Sequence, residues 1–521
     1  MPAARNNFVM DTHTLLNVLV VFVVGAALRA YFVSNKRRHG PLPPGPPRRW
    51  FSGNAYDLPR AEPWRTYASW ARIYGPIFSL RLFSKPVIIL NSATAVLDLL
   101  DARSQQYSDR PGNYFAKELC GRKNTVFGLS SQHPRFRRYR RLMHEGLNPR
   151  ATKSYASIVE GENRLLLRGL RDRPDEFIKA VRRNAGGVIL KVAYGWTVES
   201  NDDYFVRLVQ QAFLLGREAS LPGSWAVDTY PWLRFIPEWC PGASFRRRAK
   251  SLSYALSLTD RIPFEWAQEQ MAAGTNVESF TSRLLRPDDG HEVDPDEVDI
   301  VKWCSAALYV GGADTTVSAM TTFFLVMALH PDVQARAQAE LDAVIGTSRL
   351  FTIEDADASR LPYIAAMIKE ILRWGTVVPL GLSHRVTQDD NYAGYFIPEG
   401  ATITPNIWAI THDPEIYPNP DQFQPDRFLG DNASAQPDPR KFAFGFGRRV
   451  CPGAHFAETS LLLAVASILS LFTISKGKDE QGRIIEPEIE WSTGVVSHLK
   501  PFECTITPRP GSAIALSDTE D

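Results

Sequence analysis

The stretch Phe444-Gly-Phe-Gly-Arg-Arg-Val-Cys-Pro-Gly453 decides how the rest of this chain is read. Its Gly445-x-Gly447 pair invites comparison with a dinucleotide-binding loop, but Val450 stands where that loop's third glycine belongs. No strand-then-helix context with a downstream acid follows, so that reading fails. What remains is one thiol, Cys451, in a glycine-rich turn, preceded by Arg448 and Arg449 and followed by Pro452, Gly453 and a helical stretch. Such a turn aims backbone N–H groups at sulfur, and the helix start adds positive potential; both favour the thiolate. The other cysteines, Cys120, Cys240, Cys304 and Cys504, are scattered and form no CxxC pair. That argues against a disulfide framework and a cysteine zinc site, and for a reducing compartment around the folded part.

Working outward from the turn, helix-period stretches dominate to about residue 375. Short strand-like segments stand at 77–82, 87–90, 395–397 and 401–405, bounded by Gly and Pro. The expected fold is mainly α with small β-sheets. The most conspicuous helix is predicted from an Asp294 N-cap and Pro295 to His330-Pro331, roughly 35 residues or on the order of 50 Å. It is apolar enough for a membrane span, yet Asp314 sits at mid-length beside Gly311, Gly312, Thr315 and Thr316. An acid there is costly in lipid, which favours a helix buried through a soluble domain with a polar central turn. The apolar 461–472 segment is too short to span and reads as a core helix.

The N-terminal part is different. Thr14 to Val33 is a run of about 20 mostly apolar residues, enough to cross a bilayer core. The basic residues Lys36, Arg37 and Arg38 follow it, which places the remainder on the cytosolic side. The organisation expected is a tail (1–13), a transmembrane anchor (14–33), a basic and proline-rich hinge (34–50) and one large domain (51–521). The segment Pro41-Leu-Pro-Pro-Gly-Pro-Pro47 reads as a stiff extended spacer. With 521 residues, 59 Lys plus Arg against 57 Asp plus Glu and a net charge of +2, the chain offers no electrostatic reason to bind nucleic acid.

The residues Phe444, Gly447, Arg449, Cys451 and Gly453 match every fixed position of F-x-x-G-x-R-x-C-x-G, and the segment thereby resembles the haem-binding signature of the cytochrome P-450 superfamily. The resemblance implies haem b with Cys451 as the axial ligand of its iron, Arg449 on a propionate, Phe444 near the sulfur and Gly453 in the cofactor turn. A thiolate pushes electron density onto iron and favours O–O cleavage. Glu370-Ile-Leu-Arg373 resembles the family's E-x-x-R, and Phe423-Gln-Pro-Asp-Arg-Phe428 its following P-x-R-F segment. Glu370, Arg373 and Arg427 are therefore expected to form a structural network. Gly311-Gly-Ala-Asp-Thr-Thr316 resembles the oxygen-activation turn, with small residues leaving room over the iron, Thr315 supplying a hydroxyl and Asp314 relaying protons.

Where the family commonly has W-x-x-x-R, this chain has Phe136 and Arg140, so Arg140 keeps a propionate contact while the indole N–H is lost. The rest of the basic run Arg135 to Arg141 is expected to form a surface for an acidic reductase. His384 and Arg385 are assigned by resemblance to the other propionate. Ala313, Val377, Val378, Leu380 and Val495 are expected to wall the substrate pocket. His412 and His455 receive no metal role. The aromatic cluster Trp225, Tyr230, Trp232, Phe235 and Trp239 has two readings, ordinary core packing or a loop dipping into lipid.

The resemblance implies a membrane-anchored monooxygenase like the microsomal-type enzymes of fungi, single-pass in the endoplasmic reticulum. It would insert one oxygen atom from dioxygen into a C–H bond of a lipophilic small molecule of secondary metabolism, a terpenoid before a polyketide or aromatic. Too little chain follows Cys451 for flavin domains, so NADPH-derived electrons must come from a separate flavoprotein reductase; cytochrome b5 is a further candidate donor. Three rivals stand beside it. An isomerase or dehydratase rearranging a peroxide is disfavoured by Asp314-Thr315, a non-catalytic haem sensor or scaffold by the apolar pocket segments, and a secreted peroxygenase by the anchor and E-x-x-R.

Overall fold

The computed structural model describes residues 40–510 except 222, 287–292, 347–348, 357 and 431–434. The expected anchor and tail, and the basic part of the hinge through residue 39, lie outside the described residues. The longer helices are α1 (Pro63–Tyr74), α2 (Arg135–Leu147), α3 (Ala156–Asp172), α4 (Phe177–Tyr194), α5 (Tyr204–Ser220), α6 (Ser244–Ala273), α7 (Pro295–Leu329), α8 (Pro331–Val344), α9 (Pro362–Trp374) and α10 (Ala454–Leu471). Strands β1 (Ile77–Leu82), β2 (Lys85–Leu90), β3 (His384–Arg385) and β6 (Thr402–Pro405) form one sheet in the order β1-β2-β6-β3. Two small antiparallel pairs accompany it, β4 (Asp390–Tyr392) with β5 (Tyr395–Ile397), and β7 (Phe472–Lys476) with β8 (Cys504–Pro508).

Helix α7 is the axle of the molecule, and its ends are set locally. The Asp294 carboxylate accepts from the Asp296 N–H at 2.7 Å, Pro295 takes the first helical position, and Pro331 opens the next helix. The flanks 303–309 and 317–328 are buried throughout, whereas 310–312 and 314–316 are half-buried. The predicted soluble-core reading of this helix therefore holds; 72% of its most apolar window is buried. Residues 461–471 likewise lie in the buried helix α10. Gly312 has a packing role of its own, because a Cβ there would meet Ile189 Cγ1 of α4 at 2.8 Å. Of the two glycines expected to leave room over a cofactor, Gly312 thus serves helix contact, while a Cβ at Gly311 would lie 3.5 Å from Phe127 Cζ.

The period of two in the main sheet sends side chains to two cores. Phe78, Leu80 and Ile89 pack with Tyr67 of α1, while Ile77, Ile88 and Leu90 join Val96, Leu100 and Ile403 on the other face. The proline-rich segment is not a free spacer. The Pro44 carbonyl accepts from the Ser79 N–H at 2.7 Å, and a Cβ at Gly45 would lie 2.0 Å from Ser79 O. Proline carbonyls can accept along a sheet edge even though proline cannot donate. The folded domain accordingly takes in the proline-rich segment ahead of residue 51.

The aromatic cluster splits between its two readings. Trp225 stacks on Phe115 with ring centroids 3.7 Å apart, whereas Trp232, Phe235 and Trp239 are exposed. Tyr230 stacks on Phe51 at 6.3 Å, so the exposed aromatic loop and the exposed Trp50-Phe51 pair share one surface.

Candidate active site

Cys451 is held in a turn whose shape only glycine permits. Gly445 and Gly447 have φ of 79° and 49°, and a Cβ on Gly447 would lie 2.6 Å from Leu100 O. The Cys451 N–H donates to Phe444 O at 2.7 Å and Gly447 N–H to Asp101 Oδ1 at 2.9 Å. Cys451 is surrounded by protein mass yet keeps accessible surface. Burial raises the thiol pKa; the Gly453 N–H and the nearby Arg140 charge act in the opposite direction. A metal cation at such a thiol removes the proton outright.

Near this thiol the structure gathers an excess of positive charge. Arg449 donates to Ser108 O at 2.7 Å and Leu129 O at 2.6 Å, with its guanidinium 4.3 Å above the Phe136 ring. Phe136 therefore takes part by carrying the arginine on its face. Arg110, which the sequence did not single out, is buried and donates to Leu382 O at 2.6 Å, Ser383 O at 2.8 Å and Phe127 O at 3.1 Å. Burial and then the charge of Arg449 push Arg110 down to about 9; burial pushes Arg449 to about 10. Burial also lowers Arg140 and the second missed residue, Lys117. His384 donates or accepts through Nδ1 at 2.7 Å from Tyr107 O; since a carbonyl only accepts, Nδ1 carries the proton. Burial, then Arg110, holds its pKa at about 3.

Arg385 lies in the same neighbourhood but has a different partner. Its Nε donates to the buried Asp109 carboxylate at 2.8 Å, so part of the guanidinium is already taken by the protein. The other cations, Arg110, Arg140 and Arg449, have no carboxylate bonded to them among the described residues. A thiol near one buried and two half-buried guanidiniums, none bonded to a carboxylate, suits one ligand chemistry in particular, a metal macrocycle carrying carboxylates of its own, and haem b has both the iron and the two propionates.

In the central turn of α7, Thr315 Oγ1 donates to Gly311 O at 2.8 Å, one turn back along the helix. Asp314 Oδ2 meets His498 Nε2 at 3.1 Å. His498 was absent from the sequence reading, and no local pattern marks it. Ala313 is buried; Val377 and Val378 are half-buried, and Val495 is 52% exposed. Leu380 packs toward Tyr67, Phe78 and Leu80, and so belongs to the sheet core as well as to its turn.

Glu370 and Arg373 of α9 are both 0% exposed, and Arg427 is 4% exposed. Arg373 Nε and Nη2 bond Glu370 at 2.7 and 2.8 Å, and Arg427 Nε reaches Glu370 at 3.1 Å. Carbonyls of Thr411, Gln422 and Asn419 take the remaining guanidinium donors. His412 is drawn against this cluster, stacked on Trp408 at 4.4 Å, while His455 is exposed. The basic run of α2 is partly consumed inside the molecule. Arg135 bonds Asp299 at 2.6 Å and Arg138 bonds Glu297 at 2.6 Å, both in the first turns of α7. Arg137 stays exposed, as does Arg141, which pairs with Glu145 on its own helix. The surface expected for a reductase thus has fewer free arginines than the five in the run suggested.

Residues 43–506 match the family model described as Cytochrome P450. The chain belongs to the cytochrome P450 family. It is 42% identical to Cytochrome P450 monooxygenase 208 of Postia placenta, covering 98% of each chain. It is 41% identical to Cytochrome P450 monooxygenase claR of Ampulloclitocybe clavipes, over 98% of this chain and 93% of the relative. Cytochrome P450 monooxygenase ppsD of Aspergillus oryzae is 37% identical over 94% of this chain and 93% of the relative. The protein is a monooxygenase of this haem-containing family, which takes electrons from a redox partner and acts with dioxygen on small molecules.

Proposed function

We propose that the protein hydroxylates a lipophilic small molecule, with a terpenoid the first class to test. The observation that carries the reading is the Cys451 thiol in its glycine-built turn, near Arg140 and the carboxylate-free guanidiniums of Arg110 and Arg449. In this assignment Cys451 ligates the haem iron, and Arg110, Arg140, Arg449 and His384 hold the propionates. Bound there, the haem supplies the iron at which dioxygen is activated.

The chain's own residues do the rest. Glu370, Arg373 and Arg427 fix the floor on which the Cys451 turn rests. Thr315 presents a hydroxyl at the reacting face, and Asp314 moves protons toward it. Val377, Val378 and Val495, with Ala313, orient an apolar substrate and keep bulk water away from it. Electrons reach the site from NADPH through a separate flavoprotein reductase docking on the thiol side, with cytochrome b5 a further candidate.

The segment at 14–33 is assigned as a single anchor in the endoplasmic reticulum membrane with the haem domain in the cytosol. The surface shared by Trp50, Phe51, Trp232, Phe235 and Trp239 supports a second, shallow contact with lipid. A carbon monoxide difference spectrum, NADPH consumption with added reductase, and a spin-shift screen of terpenoids, polyketides and aromatics test the reading together. A thiolate-type spectrum with reductase-dependent product supports it. A haem protein that turns over a hydroperoxide without reductase overturns it. Removal of residues 1–39 tests the anchor: haem incorporation should persist while membrane association falls.

A further inference from the structure

The C-terminal turn that carries Val495 is stapled to the middle of α7. Ser318 Oγ donates to Ser497 O at 2.6 Å, and Ser497 N–H donates to Val377 O at 2.9 Å. Ser492 N–H donates to His498 O at 2.7 Å, while His498 N–H returns to Ser492 Oγ at 3.0 Å. This closed turn presents His498 Nε2 to Asp314 Oδ2 at 3.1 Å. Both side chains are about one quarter exposed, at 26% and 23%. Among the described residues no protein group bonds His498 Nδ1. Both groups thus reach solvent, and the imidazole meets the carboxylate through Nε2.

We propose that His498 is a positioning residue for the α7 turn, holding the Asp314 carboxylate and passing it protons taken from water. The proposal rests on the reading of Asp314 as a proton relay. Imidazole is suited to the task because it takes a proton on one nitrogen and releases another from the second near neutral pH. In the step itself, Nδ1 accepts a proton from solvent hydronium and Nε2–H transfers its proton to the carboxylate. A neutral imidazole and a carboxylic acid result, and the imidazole regains its Nε2–H form by exchange with water. Charged groups on the elements packed around the turn are otherwise occupied. Lys500 pairs with Glu490 on the same hairpin, and Arg65 pairs with Glu62, whose N–H donates to Thr493 Oγ1 at 3.0 Å. Asp314 is the carboxylate that faces His498.

The test uses the full chain with haem, reductase and NADPH, and needs no organic substrate. NADPH oxidation and its solvent isotope effect are followed from about pH 5.5 to 8.5 across the imidazole range, for wild type, His498→Gln, Asp314→Asn and Thr315→Ala. Glutamine can still donate to Asp314 but cannot titrate. His498→Gln should slow oxidation by roughly threefold or more, a modest share of what positioned proton transfer contributes, with a larger isotope effect and a flattened pH profile. A second measurement is thermal unfolding of His498→Ala, Asp314→Asn and the double variant under one set of conditions. The double variant should lose less stability than the sum of the two singles. His498→Gln matching wild type in rate, isotope effect and pH profile, while Asp314→Asn is slow, overturns the proton-feeding role and leaves the Asp314 relay standing. Wild-type behaviour in Asp314→Asn itself overturns the relay reading beneath it. Additive thermal losses overturn the holding contact.

Discussion

The thiol turn with the charged network, and the central turn of α7, are built on opposite principles. Every charged group of the Glu370, Arg373 and Arg427 network is buried and bonded, and the Cys451 turn is fixed by backbone contacts and left-handed glycines. On the α7 side the key groups are half-exposed and lightly tethered, Thr315 by one carbonyl and Asp314 by one imidazole. The difference teaches which residues can change without losing the fold. The thiol side is a fixed platform in which each member is needed by the next; the α7 side is chemistry laid on a helix that stands without it.

The harshest way to break this contrast is Cys451→Ser. The reduced carbon monoxide complex should lose its thiolate-type Soret band entirely, because a neutral hydroxyl cannot donate comparable charge to iron. A retained band would move the ligand elsewhere. Glu370→Ala comes next. It strands two buried guanidiniums, and breaking such a network costs about 3–5 kcal/mol. Chemical denaturation should show that loss, together with poor haem retention; a variant as stable as wild type would erase the distinction between the two sides.

Thr315→Ala sharpens the contrast from the other side. It should leave unfolding within about 1 kcal/mol of wild type, the worth of an ordinary hydrogen bond. Product formed per NADPH consumed should still drop by roughly tenfold or more, as lost proton positioning predicts. The smallest effect is acid sensitivity at the platform. His412 is held at about 3 by burial and by the charge of Arg373. In the unfolded chain it titrates near 6.5, so between those values the unfolded state binds more protons, and stability must fall as pH drops from about 6.5 toward 3. His412→Gln should flatten part of that slope in denaturant titrations at stepped pH.

What the sequence made legible was whatever is decided locally. The bounds of α7 follow from Asp294, Pro295 and Pro331, and the strand at 77–82 from alternation between Gly and Pro breaks. Phe444 to Gly453 could be read because its spacing is its chemistry. The partners that come from afar were not legible. Arg385 was expected at a cofactor carboxylate, but the fold brings Asp109 to it; Arg110 and Lys117 sit in no motif. His498 reaches Asp314 only because Ser318 and Val377 fasten its turn. The arginine run of α2 looked like open surface until the acidic start of α7 was placed beside it.

The segment that binds Ser79 has a consequence for how this protein behaves in solution. β1 is the edge strand of its sheet, and its outward side is closed twice, by the Pro44 carbonyl at Ser79 and by Asn54, whose N–H donates to Arg81 O at 2.6 Å. Because prolines offer no N–H of their own, nothing further can add to that side as a new strand. A chain shortened to residue 40 keeps this seal. One shortened past residue 47 bares a hydrogen-bonding edge over the apolar Phe78 and Leu80, an invitation to self-association between copies.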